Sequence, residues 1–166
     1  NLKIILIDDG SNDGSKTVIS KFLKKRVYKY INLKKNHGKG YAINCSKKYI
    51  KKNSFVIIQD ADLEYDPEDV LIFLEENKKF NYDLIMGSRF IGRRRTVLHF
   101  WHMIGNKFIT FLFNLFNNTT FTDIYCCYCM FKKDLVNPKK LKSFGWGQQA
   151  EILTYVIDNK SKLFEI

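Results

Sequence analysis

The chain has 166 residues, of which 45% are hydrophobic and 15% aromatic, and it carries a formal net charge of +11. This length suits one domain with a buried core, and the apolar share excludes a disordered chain. Uninterrupted apolar runs fall short of the roughly 18 residues that a membrane span needs, and the first residues do not resemble a signal peptide. We therefore expect a single cytoplasmic domain over residues 1–166.

The positive charge comes mostly from lysines scattered through a chain that is also rich in asparagine and isoleucine. Such a surface favours anionic partners, namely sugar nucleotides, lipid phosphates or the face of an acidic membrane. The sequence lacks a recognisable nucleic-acid-binding motif with clustered arginines and aromatic residues. We therefore expect no nucleic acid as a partner.

The apolar periods alternate between strand and helix, which is the order that builds an open parallel sheet with helices on both faces. This pattern predicts an α/β fold with a mostly parallel sheet flanked by helices. The first predicted strand already ends in an acidic turn, and the last four residues look like the start of a strand, so we expect a fragment that lacks elements at both ends. The predicted strands are 3–7, 27–33, 55–59 and 82–87, and the predicted helices are 14–25, 40–52, one that starts at Pro67, and 100–116.

Two local patterns carry further expectations. The four cysteines, Cys45, Cys126, Cys127 and Cys129, lack the spacing of a zinc site, and three of them suit reduced thiols on alternate sides of a strand. The aromatic stripe of the helix at 100–116 is expected in the core, with one edge towards the acceptor. Contact of that stripe with a polyprenyl chain or a bilayer surface is the alternative.

Two carboxylates one residue apart, Asp60 and Asp62, follow the apolar run at 55–58. A strand that ends in such a pair presents acidic oxygens at its carboxyl edge, which suits a hard divalent cation that also holds substrate phosphates. The alternative is a plain Asx turn after a strand. The pair therefore indicates a site for a metal ion and a nucleotide.

Two earlier turns also contain candidate binding residues, an acidic turn after the first predicted strand and a glycine-rich turn before the second predicted helix. Asp8 and Asp9 end the first strand, where carboxylates of a Rossmann-like sheet accept hydrogen bonds from ribose hydroxyls or base N–H groups; the alternative is an Asx turn. Lys39 lies between two glycines at the start of a helix, where the helix amino end favours anions. It lies either near a phosphate or in solvent, and the spacing disfavours a Walker loop.

Five motifs follow one another along nearly the whole chain: Ile7-Asp8-Asp9-Gly10-Ser11-Asn12-Asp13-Gly14-Ser15, Asn36-His37-Gly38-Lys39-Gly40, Asp60-Ala61-Asp62-Leu63-Glu64, Gly87-Ser88-Arg89-Phe90 and Thr122-Asp123. In this order they resemble the family 2 inverting glycosyltransferases, particularly the branch similar to dolichol-phosphate mannose synthase. The resemblance implies a GT-A fold and transfer of a sugar from a GDP- or UDP-sugar donor. The usual opening strand of that family, with its Pro-x-Tyr-Asn-Glu type loop, is missing from this sequence.

The resemblance also implies roles for single residues. Asp60, Asp62 and Glu64 would hold Mg²⁺ or Mn²⁺ against the donor diphosphate, while Asp8, Asp9, Lys39, Asp60 and Arg89 would bind the nucleotide sugar. Arg89 suits a bidentate grip on phosphate, and it is also a catalytic candidate. The loop with Arg93, Arg94 and Arg95 is expected to carry solvated charge or to meet a lipid phosphate.

Asp123 is the second catalytic candidate, and its role depends on the acceptor. A sugar hydroxyl needs a base, which Asp123 would supply, whereas an anionic lipid phosphate attacks without one and leaves Asp123 to organise the site. We expect transfer to a polyprenyl (dolichyl-type) phosphate by an enzyme at the cytosolic membrane face, with peripheral membrane contact. The alternatives are transfer to a carbohydrate hydroxyl in polysaccharide or glycolipid synthesis, and a noncatalytic nucleotide- or nucleic-acid-binding module.

Overall fold

The computed structural model describes residues 2–91, 99–136, 141–143, 145, 147–157 and 160–166, and for residues 24–26 it describes the backbone. Strands and helices alternate along this part of the chain, so the predicted α/β class is confirmed. The strands are β1 (Ile4–Asp8), β2 (Val27–Asn32), β3 (Phe55–Ile58), β4 (Leu84–Met86), β5 (Cys129–Lys132) and β6 (Leu163–Glu165), and the helices are α1 (Ser15–Arg26), α2 (Lys39–Ser46), α3 (Val70–Phe80), α4 (Phe100–Asn117) and α5 (Gln148–Val156).

The chain forms two compact units, and the first comprises Asn1–Lys52 and Asn137–Glu151. Its strands β1 and β2 pair in parallel and are connected by α1, as the strand and helix periods predict. Helix α2 is shorter than the predicted helix at 40–52. It ends at Ser46 and continues as a 3₁₀ turn to Tyr49, because Ile50 already has an extended backbone with φ −88° and ψ 125°.

The second unit comprises Asn53–Val136 and Ile152–Ile166, and it contains a four-stranded sheet. The strand order is β3-β5-β4-β6, with β5 antiparallel to both of its neighbours and β4 parallel to β6. This sheet is therefore mixed, whereas the sequence predicted a mostly parallel one. An alternation of apolar residues is the same for a strand that runs in either direction, so the pattern alone does not encode the reversal of β5.

The core of the second unit is built around β4. Leu84, Ile85 and Met86 are each 0% exposed, so this strand is covered on both faces. A strand covered on both faces reads as a continuous apolar run, which is how the sequence identifies it. The four cysteines are thiols outside any disulfide, and three are buried near this core, but only Cys129 lies in a strand; Cys126 and Cys127 precede it.

Helix α4 is oriented opposite to the expectation from its sequence. Its buried residues are Asn106 and Thr110, and most of its large apolar residues are exposed. The prediction that the aromatic stripe packs in the core is therefore wrong, because the polar face of the helix makes the interior contacts. In the described parts of the chain, none of the helices has both the length and the hydropathy needed to cross a membrane. The exposed side chains are Phe100, Trp101, Ile104, Phe108, Ile109, Phe111, Leu115 and Phe116.

Among the described glycines of the first unit, Gly10, Gly14 and Gly38 have a positive φ, and the first two differ in their surroundings, which makes them a matched pair. A Cβ at Gly10 would lie 2.5 Å from the backbone carbon of Lys35, whereas a Cβ at Gly14 would have no neighbour within 4 Å. We expect Gly14→Ala to lower the free energy of unfolding by about 1 kcal/mol through backbone strain. Gly10→Ala should cost about 3 kcal/mol, because the backbone at Lys35 must also move. Urea unfolding of both variants tests this, and equal losses would contradict the close approach.

Candidate active site

A buried ion pair between Arg89 and Asp123 lies at the centre of the candidate site in the second unit. Arg89 follows β4, and its Nε donates to Asp123 Oδ2 at 2.7 Å while its Nη2 donates to Oδ1 at 2.9 Å. The Asp123 side chain is 0% exposed and that of Arg89 is 16% exposed. Hydrogen bonding to Asp123 raises the pKa of Arg89 above its ordinary value, so the guanidinium is charged at any physiological pH.

Both oxygens of Asp123 are fully engaged. Besides the two guanidinium contacts, Oδ1 accepts from Asn106 Nδ2 at 2.7 Å and Oδ2 accepts from the Arg89 backbone N–H at 3.3 Å. A carboxylate has about four lone-pair directions, and here four donors use them. To accept a proton as the predicted base, Asp123 would first have to give up one of these hydrogen bonds.

The Asp123 carboxylate is supported by α4. Asn106 Oδ1 accepts from Thr110 Oγ1 at 3.0 Å, and Thr110 Oγ1 accepts from the Ile124 backbone N–H at 3.4 Å. Asn106 and Thr110 were not among the residues predicted for the site. The available signal was their four-residue spacing, which places two polar side chains on one face of a helix whose residues are mostly apolar.

The turn that carries Asp123 is also fixed through backbone groups. Both carboxylate oxygens of Glu165 accept from the Thr122 N–H at 2.9 Å, and one also accepts from the Asp123 N–H at 3.1 Å. The hydroxyls of Ser88 and Thr122 are 2.6 Å apart. Burial raises the pKa of Glu165 despite these hydrogen bonds. The segments after β4 and before β5 are therefore joined at several points within one unit.

The predicted metal-binding residues lie in the segment after β3. Asp62 Oδ1 accepts from the Glu64 N–H at 2.9 Å, which is an Asx turn, and Leu63 between them has a φ of 63°. The carboxylate Oε1 of Glu64 lies 3.4 Å from Arg89 Nη1. Asp60 and Asp62 supply hard oxygen donors of the type that Mg²⁺ and Mn²⁺ prefer.

A metal shell made by the protein alone is not formed at this segment. Among the described residues, no group of three His, Cys, Asp or Glu side chains is arranged to hold a metal ion. Glu64 instead pairs with Arg89. The carboxylates therefore fit a cation that takes its remaining ligands from water or from substrate phosphates, as Mg²⁺ commonly does.

An aromatic and thiol cluster underlies the same segment. The rings of Tyr65 and Tyr128 stack with centroids 5.2 Å apart, and Tyr128 also contacts Phe73. Burial raises the pKa of the Cys126 thiol to about 12, so Cys126 is a neutral group here and not a nucleophile. A Cβ at Gly87 would lie 3.3 Å from Cys126 Sγ. Because glycine lacks a Cβ, the chain after β4 can pass close to this cluster.

The predicted nucleotide-binding residues Asp8, Asp9 and Lys39 lie in the first unit. Asp8 is buried, and its oxygens accept from the Ser11 N–H at 2.8 Å and the Tyr30 hydroxyl at 3.3 Å. Asp9 accepts from the N–H groups of His37 at 3.0 Å and Gly38 at 2.8 Å, and α2 begins at Lys39 directly afterwards. Asp8 thus shapes its own turn, whereas Asp9 joins the end of β1 to the segment just before α2. The predicted contact of both carboxylates with a nucleotide stays a prediction.

The other predicted site residues lie either in the second unit or outside the described part of the chain. Asp60, Asp62, Glu64, Arg89 and Asp123 belong to the second unit, where the structure joins Glu64, Arg89 and Asp123 in one chain of contacts. Arg93, Arg94 and Arg95 lie outside the described residues.

Replacing Asp123 with asparagine tests how much the buried ion pair contributes to the free energy of unfolding. Asp123→Asn leaves the Arg89 charge without its partner, so we expect a loss of about 3 kcal/mol in the free energy of unfolding. Glu76→Gln is the matched control, since it breaks the exposed Lys79–Glu76 pair and should cost less than about 0.5 kcal/mol. Denaturant unfolding at neutral pH compares the two, and a similar small loss for both would mean that the buried pair contributes no more than an exposed one.

Asp8 should contribute to acid sensitivity. Burial by itself raises the pKa of Asp8, but hydrogen bonds from Ser11 and Tyr30 and the charge of Lys16 bring it below the ordinary value of 3.8. A lowered pKa means that the stabilisation is present above 3.8 and is lost as the pH falls through the folded-state pKa. We expect Asp8→Asn to cost about 1 to 2 kcal/mol at pH 7, with this gap closing in acid. Unfolding measured across this range checks it, with the exposed Glu75→Gln as control; a gap independent of pH would contradict it.

Comparison with known proteins agrees with this geometry. The family model described as glycosyl transferase family 2 matches residues 1–137. An uncharacterized protein of Methanocaldococcus jannaschii is 27% identical over 156 residues, covering 89% of this chain and 66% of its own length. The glycosyltransferase AglJ of Haloferax volcanii is 25% identical over 149 residues, covering 90% of this chain and 47% of its own length. The chain thus spans between about half and two thirds of the length of these relatives.

Solved structures show the same fold. TarS of S. aureus, residues 1–349, superimposes with a TM-score of 0.59 at 18% identity, covering 99% of this chain and 48% of that one. Its complex with UDP-GlcNAc gives a TM-score of 0.60 at 16% identity, covering 99% of this chain and 46% of that one. The predicted GT-A fold is therefore confirmed. Since the family model covers most of the sequence, the chain belongs to glycosyl transferase family 2.

Proposed function

We propose that the chain is part of a metal-dependent inverting glycosyltransferase that moves a sugar from a nucleotide-diphosphate donor to a polyprenyl phosphate at the cytosolic face of a membrane. Family membership supports the transferase activity. Donor chemistry is supported by the fold shared with TarS, whose structure exists as a complex with UDP-GlcNAc. The acceptor, and with it the likeness to the dolichol-phosphate mannose synthase branch, is argued from Asp123 and α4.

The choice of acceptor rests on one observation, namely that both carboxylate oxygens of Asp123 already accept two hydrogen bonds each. Asp123 is 0% exposed and receives four hydrogen bonds, so it is poorly placed to take a proton from a hydroxyl acceptor. An ionised phosphate oxygen needs no base, because it attacks the anomeric carbon directly while the nucleoside diphosphate departs from the opposite face. In this scheme Asp123 positions Arg89 and does not itself react.

Helix α4 gives independent support for a lipid acceptor and for peripheral membrane contact. Trp101 is 78% exposed and Phe116 is 82% exposed, while Asn106 and Thr110 face inward. A helix that buries its polar face and exposes its aromatic face suits an apolar environment such as a polyprenyl chain or the outer part of a bilayer.

On the donor side, the chain supplies two carboxylates and one fixed cation. Asp60 and Asp62 would hold Mg²⁺ or Mn²⁺, and a divalent cation offsets the charge that develops on the diphosphate as the glycosidic bond breaks. Arg89 is permanently charged and held in one orientation by Asp123, and its third nitrogen, Nη1, points at Glu64. Arg89 can therefore meet an anionic phosphate with little loss of side-chain freedom.

The second candidate function is transfer to a carbohydrate hydroxyl. Poly-beta-1,6-N-acetyl-D-glucosamine synthase of Staphylococcus epidermidis is 35% identical over 79 residues, which cover 46% of this chain and 18% of that protein. An enzyme of this type needs a base, so it would require a carboxylate other than the one that holds Arg89, or a rearrangement of the Asp123 contacts.

Calorimetric titration with GDP and UDP, each with and without Mn²⁺, tests the donor site. We expect one nucleotide to bind only with the metal present and the double substitution Asp60→Ala/Asp62→Ala to abolish that binding. Glu68→Ala/Glu75→Ala also removes two carboxylates from the second unit, both of them exposed, and should leave binding unchanged. If neither nucleotide binds to the folded full-length protein, the transferase proposal fails and a noncatalytic module becomes the better reading.

The acceptor is tested with the full-length protein and radiolabelled nucleotide sugar. Product formed on polyprenyl phosphate, and not on the matching polyprenol or on oligosaccharides, is the expected result, since only the phosphate brings an ionised nucleophile. Product formed only on oligosaccharides would show that the acceptor is a carbohydrate hydroxyl and not a lipid phosphate.

A further inference from the structure

The positive charge of the chain is concentrated in the first unit. Asn1–Lys52 and Asn137–Glu151 contain 17 Lys and Arg against 4 Asp and Glu, a net charge of +13, whereas the second unit contains 11 against 13, a net charge of −2. A general preference for lysine throughout the sequence would have made both units positive. The basic surface is therefore a property of the first unit.

The few acidic groups of this unit are engaged by backbone N–H groups. Asp8 and Asp13 accept from the backbone of their own turns, Asp9 accepts from the N–H groups of His37 and Gly38, and Glu151 accepts from the N–H groups of Lys142 and Ser143. By contrast, the ion pairs of Lys79, Lys132 and Lys133 with carboxylates all lie in the second unit. Nine of the twelve lysines whose side chains the structure describes in the first unit are exposed. Their charge is thus directed at the solvent.

Helix α1 combines this charge with exposed apolar side chains. Val18 is 55% exposed and Phe22 is 68% exposed, and Lys21 lies on the same helix face at i+3 from Val18. A helix face that mixes lysine with exposed aromatic and aliphatic groups is typical of segments that lie at a bilayer surface.

We propose that the first unit binds the surface of an anionic phospholipid bilayer through its lysines, with Val18 and Phe22 entering the headgroup region. The composition of the unit favours lipid over nucleic acid. It has 16 Lys and one Arg, whereas Arg is the residue suited to bidentate recognition of bases and phosphates. Exposed apolar side chains gain from a bilayer and gain little from a phosphate backbone.

The inference goes beyond the proposed function, because it rests on the charge distribution and assigns membrane contact to the first unit in addition to α4. Binding to lipid can be measured without any transfer reaction. Failure of lipid binding with intact nucleotide binding would overturn this inference alone, and the reverse result would overturn the donor site alone.

The experiment is co-sedimentation of the chain with vesicles of phosphatidylcholine, with and without one third phosphatidylserine, at low and high salt. The test variant is Lys21→Gln/Lys51→Gln/Lys52→Gln in the first unit, and the matched control is Lys78→Gln/Lys160→Gln/Lys162→Gln in the second. All six lysines are exposed, and each triple variant removes three positive charges. Circular dichroism of both variants verifies that they are folded.

We expect binding only to the anionic vesicles, loss of binding at high salt, and a decrease in affinity of at least about tenfold for the first-unit variant but not for the control. Equal losses for the two variants would overturn the assignment to the first unit. Binding that does not require phosphatidylserine would overturn the electrostatic basis. Tighter binding to single-stranded RNA than to anionic vesicles at the same ionic strength would overturn the inference and identify a nucleic acid as the partner of the first unit.

Discussion

The polar interior of the second unit depends on one buried carboxylate. Asp123 has no contact with solvent, and a carboxylate removed from water is tolerated only when charge and hydrogen bonds compensate for its lost hydration. Arg89 supplies the opposite charge and Asn106 supplies an additional donor. This single carboxylate therefore fastens the segment after β4 to α4, and it fixes the direction in which the Arg89 guanidinium points.

The surrounding backbone makes that contact possible. Strand β4 is completely buried, and Gly87 follows it at a close approach to Cys126 and Tyr128. A Cβ at Gly87 would lie 3.3 Å from Cys126 Sγ and from the Tyr128 carbonyl oxygen. Glu165 on β6 binds the N–H groups of Thr122 and Asp123 from the other direction. The buried pair is thus supported by rigid strands, and such support is what a charged group needs if it is to meet an anionic substrate in a defined orientation.

The proposed lipid contacts involve two surfaces of the chain. Helix α4 in the second unit exposes aromatic side chains, and the first unit exposes lysines around an apolar helix face. These are the two kinds of contact, apolar and electrostatic, that together hold proteins at a bilayer surface, since either one alone binds weakly. A polyprenyl phosphate presents the same two chemistries in a single molecule.

The sequence by itself determined the α/β class, most of the elements and the family. The predicted and observed bounds of β1, β2, β3 and α4 agree within two residues, because apolar periodicity and turn residues act over a few neighbouring positions. The motif residues were equally visible one by one. The contact between Arg89 and Asp123 was not visible, since the two are 34 positions apart and their motifs predict separate roles, as phosphate ligand and as base.

Tertiary structure alone decided the reversal of β5 and the inward orientation of Asn106 and Thr110. Periodicity shows that a helix has two faces, but which face is buried depends on the partner available: here the buried carboxylate of Asp123 attracts the polar face of α4. The charge asymmetry, in contrast, is already present in the sequence, because residues 1–52 alone contain 14 Lys and Arg against 3 Asp; the packing of Asn137–Glu151 with them raises the net charge of the first unit to +13. The reversal of β5 and the burial of Asn106 and Thr110 depend on contacts between residues far apart in the chain, and local sequence patterns do not encode those contacts.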